Sequence, residues 1–195
     1  MTKSRLEAFS DGVIAIILTI MVLELKVPHG TEIESLRPLL PVFLSYLLSF
    51  VFIGIYWNNH HHMLHAARRV DGRVLWANLH LLFWLSLVPF TTGWMGEEHV
   101  AAVPVALYGV VLLMAGAAYF LLSRALIAVD GAESALAAAI GRDRKGKASV
   151  GIYAAAIPLA FVSTWAAVAL YVAVAVMWFV PDRRIEATLR EPGAK

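Results

Sequence analysis

The 195 residues include no cysteine, so the chain forms no disulfide, offers no thiolate to a metal and has no Cys nucleophile. Charge is scarce as well: only 15% of the residues are Asp, Glu, Lys or Arg, against about a quarter in ordinary soluble domains. Neither sign prevails. The 16 Lys and Arg stand against 14 Asp and Glu for a formal charge of +2, which supplies no electrostatic footprint for nucleic acid. The motifs of hydrolytic sites, G-x-S-x-G and H-E-x-x-H, are missing, and no pair of catalytic acids stands out, so the chain is not expected to be an enzyme. Apolar residues dominate instead. At 60% hydrophobic and a mean hydropathy of +0.72, the composition excludes a soluble globular protein.

A membrane-spanning helix needs about 20 mostly apolar residues, and four stretches qualify: Leu6 to Val27, Leu39 to His62, Val74 to Trp94 and Ala101 to Ser123. The first resembles a signal peptide in its leading Lys3 and Arg5. However, Glu7 and Asp11 interrupt the basic region and the run Glu24-Leu25-Lys26-Val27-Pro28 offers no small-residue cleavage site, so it is expected to be retained. The stretch from Ala148 to Val180 is too long for one comfortable span and short for two; charge decides. With the N-terminus inside, fourteen of the 16 basic residues fall on cytoplasmic pieces: the N-terminus, the 66–73 loop, the 124–147 loop and the tail. Only Lys26 and Arg37 lie outside, beside Glu24, Glu32, Glu34, Glu97 and Glu98. Both the 124–147 loop and the tail with Arg183, Arg184, Arg190 and Lys195 are then cytoplasmic, which requires a hairpin of helices over 148–162 and 165–180 turning near Ser163 and Thr164. The expected fold is all-α and polytopic: six transmembrane helices in one domain covering 1–195, both termini cytoplasmic, with a surface helix near Ser134 to Ile140 in the 124–147 loop.

Ionisable groups within a membrane are costly and usually face a bundle interior or a water path. Asp11, at the cytoplasmic end of the first helix, admits two readings: an interfacial acid that gains from the helix dipole, or a partnered group. The second helix ends in Trp57, Asn58, Asn59, His60, His61, His62 and His65. His61 and His65 share a helix face, as metal ligands often do, yet zinc would need further ligands from neighbouring helices; no metal site is expected. These residues are expected instead to join Asn78, His80 and Trp84 of the third helix in hydrogen bonds to Ser10 and Asp11. The first helix also carries a narrow apolar stripe, Phe9, Val13, Ile16, Ile20, Leu23 and Val27, with Thr19 beside it. Such a stripe either packs against neighbours and lipid or, repeated around an axis, makes a constriction that gates by dewetting. Periodicity does not choose between the two.

Arg5, Phe9, Ser10 and Asp11 match the RxxxFSD motif of the endosomal and lysosomal transmembrane potassium channels and their prokaryotic homologues, and Gly12-Val13-Ile14-Ala15-Ile16 continues as those proteins do. The resemblance extends to the six-helix pattern and to the Asn, His and Trp residues of the second and third helices. It implies a potassium-selective or potassium-preferring cation channel without a TVGYG filter, a sequence absent here. Prokaryotic members carry one six-helix unit and form homotetramers, so the resemblance implies a homotetramer in the lipid bilayer of a prokaryotic inner membrane, with permeant K+ and no cofactor. It further implies a pore lined by the first helix, with Ile16, Ile20 and Leu23 at the constriction and Thr19 in a layer that contributes to selectivity. A proton-coupled secondary transporter using Asp11 and the histidines is the alternative. Such folds show inverted repeats and broken mid-membrane helices, and Pro158 is the one breaker in the fifth helix.

Overall fold

The computed structural model describes residues 2–140 and 143–179, and among them there are only helices and loops. Arg142, Val180 and the basic tail with Arg183, Arg184, Arg190 and Lys195 lie outside the described residues. In chain order the helices are α1 (Lys3–Leu23), α2 (Leu40–Ala66, entered through the 3-10 turns of Ile33–Leu39), α3 (Gly72–Ser86), α4 (Val88–Glu97), α5 (Ala102–Asp130), the short α6 (Ala135–Ile140), α7 (Arg144–Leu159) and α8 (Thr164–Phe179).

Local chemistry sets where each helix stops, and it moves several of the expected boundaries. α1 starts behind Thr2, whose hydroxyl accepts from the Arg5 N–H at 3.4 Å, and stops at Leu23 rather than Val27. Glu24 forms the C-cap, and Val27 precedes Pro28, a position that disfavours helical backbone. α2 runs past His62 to Ala66 because Lys3 takes up the carbonyls left over at its end: the Lys3 Nζ donates to the His65 carbonyl at 3.0 Å and the Ala67 carbonyl at 2.9 Å. The third expected helix is broken at Leu87 into α3 and α4, since Pro89 in the first turn of α4 lacks an N–H and its ring would clash with the preceding turn. The Asp71 carboxylate caps α3, accepting from the Arg73 and Val74 N–H groups at 2.9 and 3.0 Å. α5 outruns Ser123 and ends at Asp130, where Gly131 takes a φ of +99°. The Asp130 carboxylate then accepts from the Arg68 and Arg69 N–H groups at 2.7 and 3.2 Å, tying the end of α5 to the loop after α2. α7 and α8 form a hairpin whose turn spans 160–163, closed by the Ser163 N–H on the Leu159 carbonyl at 2.8 Å.

Four segments are long and apolar enough to cross a membrane: Lys3–Leu23, Ile33–Ala66, Gly72–Glu97 and Ala102–Asp130. α5 sits at the centre, packed by α3, α4 and α7, with α1 against α2, α3 and α4. A buried hydroxyl cluster fastens three helices at mid-bundle. Ser49 of α2 lies 2.6 Å from the Thr92 hydroxyl of α4 and donates to the Tyr108 hydroxyl of α5 at 3.0 Å. Small residues set the approach of the helices. A Cβ on Gly96 would stand 2.7 Å from the Cα of Val42, so α4 lies against the backbone of α2. Gly96→Ala is expected to push the two apart and lower stability by about 1–3 kcal/mol, as overpacking does. A thermal melt of the detergent-solubilised protein reads this as a lowered midpoint; an unchanged melt would mean that the contact is not tight. Beside Gly96, Glu97 forms an exposed ion pair with Lys26, and the Glu97 carboxylate, by hydrogen bond and by charge, raises the Lys26 ammonium above its ordinary 10.5.

Candidate functional site

α1 has two unlike faces. Leu6, Ser10, Ile14, Ile17 and Met21 are buried against the bundle, whereas Ile16 (60% exposed), Leu23 (76%), Ile20 and Phe9 face outward. Aliphatic side chains fill both, so composition alone does not distinguish them; the position of Ser10 does. Of the stripe seen in the sequence, Val13 is half-buried and Val27 falls beyond the helix, leaving a shorter exposed row. Thr19 is exposed within it and donates its hydroxyl hydrogen to the Ala15 carbonyl at 2.9 Å. That bond consumes the donor and leaves the oxygen an acceptor turned to the surroundings.

On the buried face, polar atoms link three helices in one directed chain. The Ser10 hydroxyl donates to the Leu6 carbonyl at 2.8 Å and accepts from the Asn78 Nδ2 at 2.9 Å, and the Asn78 Oδ1 lies 2.7 Å from the His60 Nε2. With the Asn78 amide committed to Ser10, its oxygen can only accept, which assigns the proton of a neutral His60 to Nε2. Ser10, His60 and Asn78 are all buried, and among the described residues no buried side-chain nitrogen or oxygen is left without a partner. Satisfaction of every member is what makes such a network tolerable in an apolar interior.

The remaining members of the predicted cluster separate into smaller groups. Asp11 is exposed and accepts from the Trp57 Nε1 at 3.0 Å, joining α1 to α2. His80 and Trp84 pair within α3, the Trp84 Nε1 donating to the His80 Nε2 at 2.9 Å, and among the described residues no hydrogen bond connects them to Ser10 or Asp11. A spacing of one helical turn explains this: each ring finds its partner locally before it can reach another helix. His61 and His65 stack with ring centroids 6.1 Å apart, and among the described residues no three His, Asp or Glu side chains gather as a metal would require. Arg5 is exposed. Sequence reasoning missed the Lys3 clasp on the end of α2 and the Ser49–Thr92–Tyr108 cluster. The isolated hydroxyls in otherwise apolar helices were the available signal for the second.

The profile of the endosomal/lysosomal potassium channel TMEM175 matches residues 5–89, which span α1 through α3 and so hold the whole Ser10–Asn78–His60 chain. A potassium channel of Chryseobacterium sp. is 52% identical over 191 residues, covering 98% of this chain and all of its own length. The chain belongs to the TMEM175 family. The crystal structure of a lysosomal potassium-selective channel TMEM175 homolog from Chamaesiphon minutus superposes with a TM-score of 0.73 at 30% identity, covering 93% of this chain and 97% of that one. The chicken relative, named an endosomal/lysosomal proton channel TMEM175, is 41% identical over 73 residues, or 31% of this chain and 15% of that protein. TMEM175 proteins are ion channels and not enzymes, and the all-helical bundle described above is the TMEM175 channel fold.

Proposed function

We propose that four copies of this chain assemble into a passive potassium channel whose pore is lined by the exposed face of α1. The observation that carries the reading is that face itself: Ile16, Ile20 and Leu23 stay uncovered in the protomer while the opposite face is locked to α2 and α3 through Ser10. Copies of α1 around a common axis would cover them, and rings of Ile16, Ile20 and Leu23 would form an apolar constriction that gates by excluding water. Thr19, with its acceptor oxygen turned outward, supplies the selectivity layer. Arg5, Phe9, Asp11, His80 and Trp84 support the cytoplasmic end of the pore, the Asp11–Trp57 bond fixing the entry of α1 against α2.

Residues 1–195 make one transmembrane domain of six spans, with α3 and α4 crossing as one broken helix and α7 and α8 as a thin hairpin. Both termini lie in the cytoplasm and the protein resides in a prokaryotic inner membrane. The charge bias supports this topology, and so do two contacts. Lys3 at the start of α1 meets the end of α2, and Asp130 at the end of α5 meets the loop after α2, so three of the basic segments gather at one end of the bundle. The Cys-free chain makes the test direct: Ala132→Cys is expected to react with an impermeant thiol reagent only after the cytoplasmic side is opened, and labelling from outside intact cells would refute the orientation.

Planar-bilayer recording tests the function. Unitary currents on the picoampere scale, reversing near the potassium equilibrium potential in a potassium–sodium gradient, are expected; flux too slow for unitary events would mean a carrier. The name of the chicken relative favours proton permeation as a second reading. Between Asp11 and Glu24, α1 carries no titratable side chain, so protons would have to cross along water alone. A reversal potential that follows pH at equal potassium would establish that reading.

A further inference from the structure

A cavity of about 310 Å³ opens on the side of the bundle between α2, α5, α7 and α8, away from the exposed face of α1. It is within the range of about 300–1,000 Å³ typical of small-ligand sites. Its floor is made by buried Phe52 and Tyr153, its walls by Tyr56 and Tyr119, and Trp178 closes one end. The mouth has two characters. Phe120 and Val150 are exposed apolar side chains on its flank, and exposed Lys147 stands at its edge. One turn away, exposed Arg144 shares the Lys147 face of α7 at i, i+3. Among the described residues lining the cavity the one acid, Asp143, is engaged as the cap of α7, accepting from the Gly146 N–H at 2.9 Å. An aromatic interior with an apolar flank and cations at one end fits neither a polar solute nor an ion; it fits a chain with an anionic head.

We propose that this cavity holds an acyl chain of an anionic phospholipid, with its headgroup against Arg144 and Lys147. Charge complementarity selects the lipid: basic side chains beside a transmembrane bundle draw anionic headgroups, each Lys or Arg contributing about 1 kcal/mol, or roughly a fivefold change in affinity. Tyr56, Asn59, Tyr119, Phe120, Lys147 and Trp178 belong to the halves of their helices that the proposed topology places toward the cytoplasm, with Phe52 and Tyr153 near mid-helix at the floor, so the lipid comes from the inner leaflet; that assignment of leaflet rests on the topology, whereas the binding does not. The walls are held independently of any ligand, since the Tyr119 hydroxyl donates to the Asn59 carbonyl at 3.2 Å and the Trp178 Nε1 donates to the Ser149 hydroxyl at 2.8 Å. The cavity can also be filled from within the chain. A Cβ on Gly116 would meet only the Tyr56 hydroxyl, at 3.7 Å, an ordinary contact, so a larger residue there would extend into the open space.

Trp178 serves as the reporter. Phosphatidylglycerol carrying brominated acyl chains, titrated into the detergent-solubilised full-length protein, is expected to quench Trp178 fluorescence saturably, the signal being isolated by difference from Trp178→Phe. Brominated phosphatidylcholine should need a severalfold higher concentration. Lys147→Glu, an exposed change that leaves the core alone, should raise the half-saturating phosphatidylglycerol concentration by roughly fivefold or more. Gly116→Leu should abolish the saturable component while the thermal melt stays in place. Equal quenching by both lipids, indifferent to Lys147→Glu, would reduce the site to ordinary annular contact and overturn the proposal. Saturable quenching by a brominated free fatty acid but not by phosphatidylglycerol would overturn it in favour of a single-chain ligand. Lys147→Cys labelling from outside the cell would refute the leaflet and the topology together, while leaving the detergent-phase binding result as it stands.

Discussion

Ile16→Asn or Leu23→Asn is expected to raise basal current by roughly tenfold or more, because lowering a barrier by only ~1.4 kcal/mol already has that effect. The aliphatic rings offer an ion nothing in place of its hydration shell, so the proposed barrier is the cost of wetting a narrow apolar ring; an amide at that position holds water and removes it. The contrast within the same helix makes the experiment specific. Ile17 is buried in the bundle, next in sequence to Ile16, and Ile17→Asn should lower stability without opening the pore. Thr19→Val should leave conduction in place and weaken discrimination between potassium and sodium, since it removes the acceptor turned outward from the helix. Bilayer recordings of these variants decide the matter. Asparagine at positions 16, 20 and 23 without any change in basal current would move the pore elsewhere and return the exposed row to packing.

The second large effect is expected from Asn78→Leu. Asn78 is buried and bonded on both sides, so its loss strands the His60 Nε2–H in an apolar interior and removes the bond that the Ser10 oxygen accepts, while the Ser10 hydroxyl keeps the Leu6 carbonyl. The stranded donor costs about 1–3 kcal/mol and the lost bond to Ser10 about 1 kcal/mol more, so a loss on the order of 3 kcal/mol is expected, visible as a lowered melting midpoint. Trp57→Phe supplies the comparison. It removes the exposed bond to Asp11 and should cost no more than about 1 kcal/mol. If Asn78→Leu proved no worse than Trp57→Phe, the Ser10–Asn78–His60 chain would not be what holds α1 in place. The gate variants and the network variants thus separate the two faces of α1: one set alters current at constant stability, the other alters stability first.

Much of this was legible in the residues because the bilayer constrains a chain more tightly than water does. A backbone that must satisfy its own hydrogen bonds in hydrocarbon has to be helical there, so Leu6 to Leu23 or Ala102 to Ser123 could hardly be anything else. The turn between α7 and α8 falls at 160–163, centred just before the expected Ser163 and Thr164, and the short helix Ala135–Ile140 lies in the Ala-rich run. Boundaries were less legible. Val27 counts as apolar in any hydropathy window but precedes a proline, and Pro89 divides an otherwise continuous run; both effects are steric and local.

The site divides in the same way. Ser10, Asp11, Asn78 and the histidines stood out in the sequence because polar groups are expensive in hydrocarbon, and a paired role for some of them followed from that cost. Which of them meet was decided only by the tertiary structure: His60 reaches Asn78, while His80 finds Trp84 one turn along its own helix and His61 stacks on His65. Rotamer and crossing geometry select one imidazole from four neighbours, and neither is encoded in spacing alone. The same holds for the two aliphatic faces of α1. Their hydropathy is nearly equal, so the sequence by itself determined that α1 is a membrane helix with a polar foot, and only the packing of α2, α3 and α4 against Ser10, Ile14 and Ile17 decided that Ile16, Ile20 and Leu23 remain uncovered.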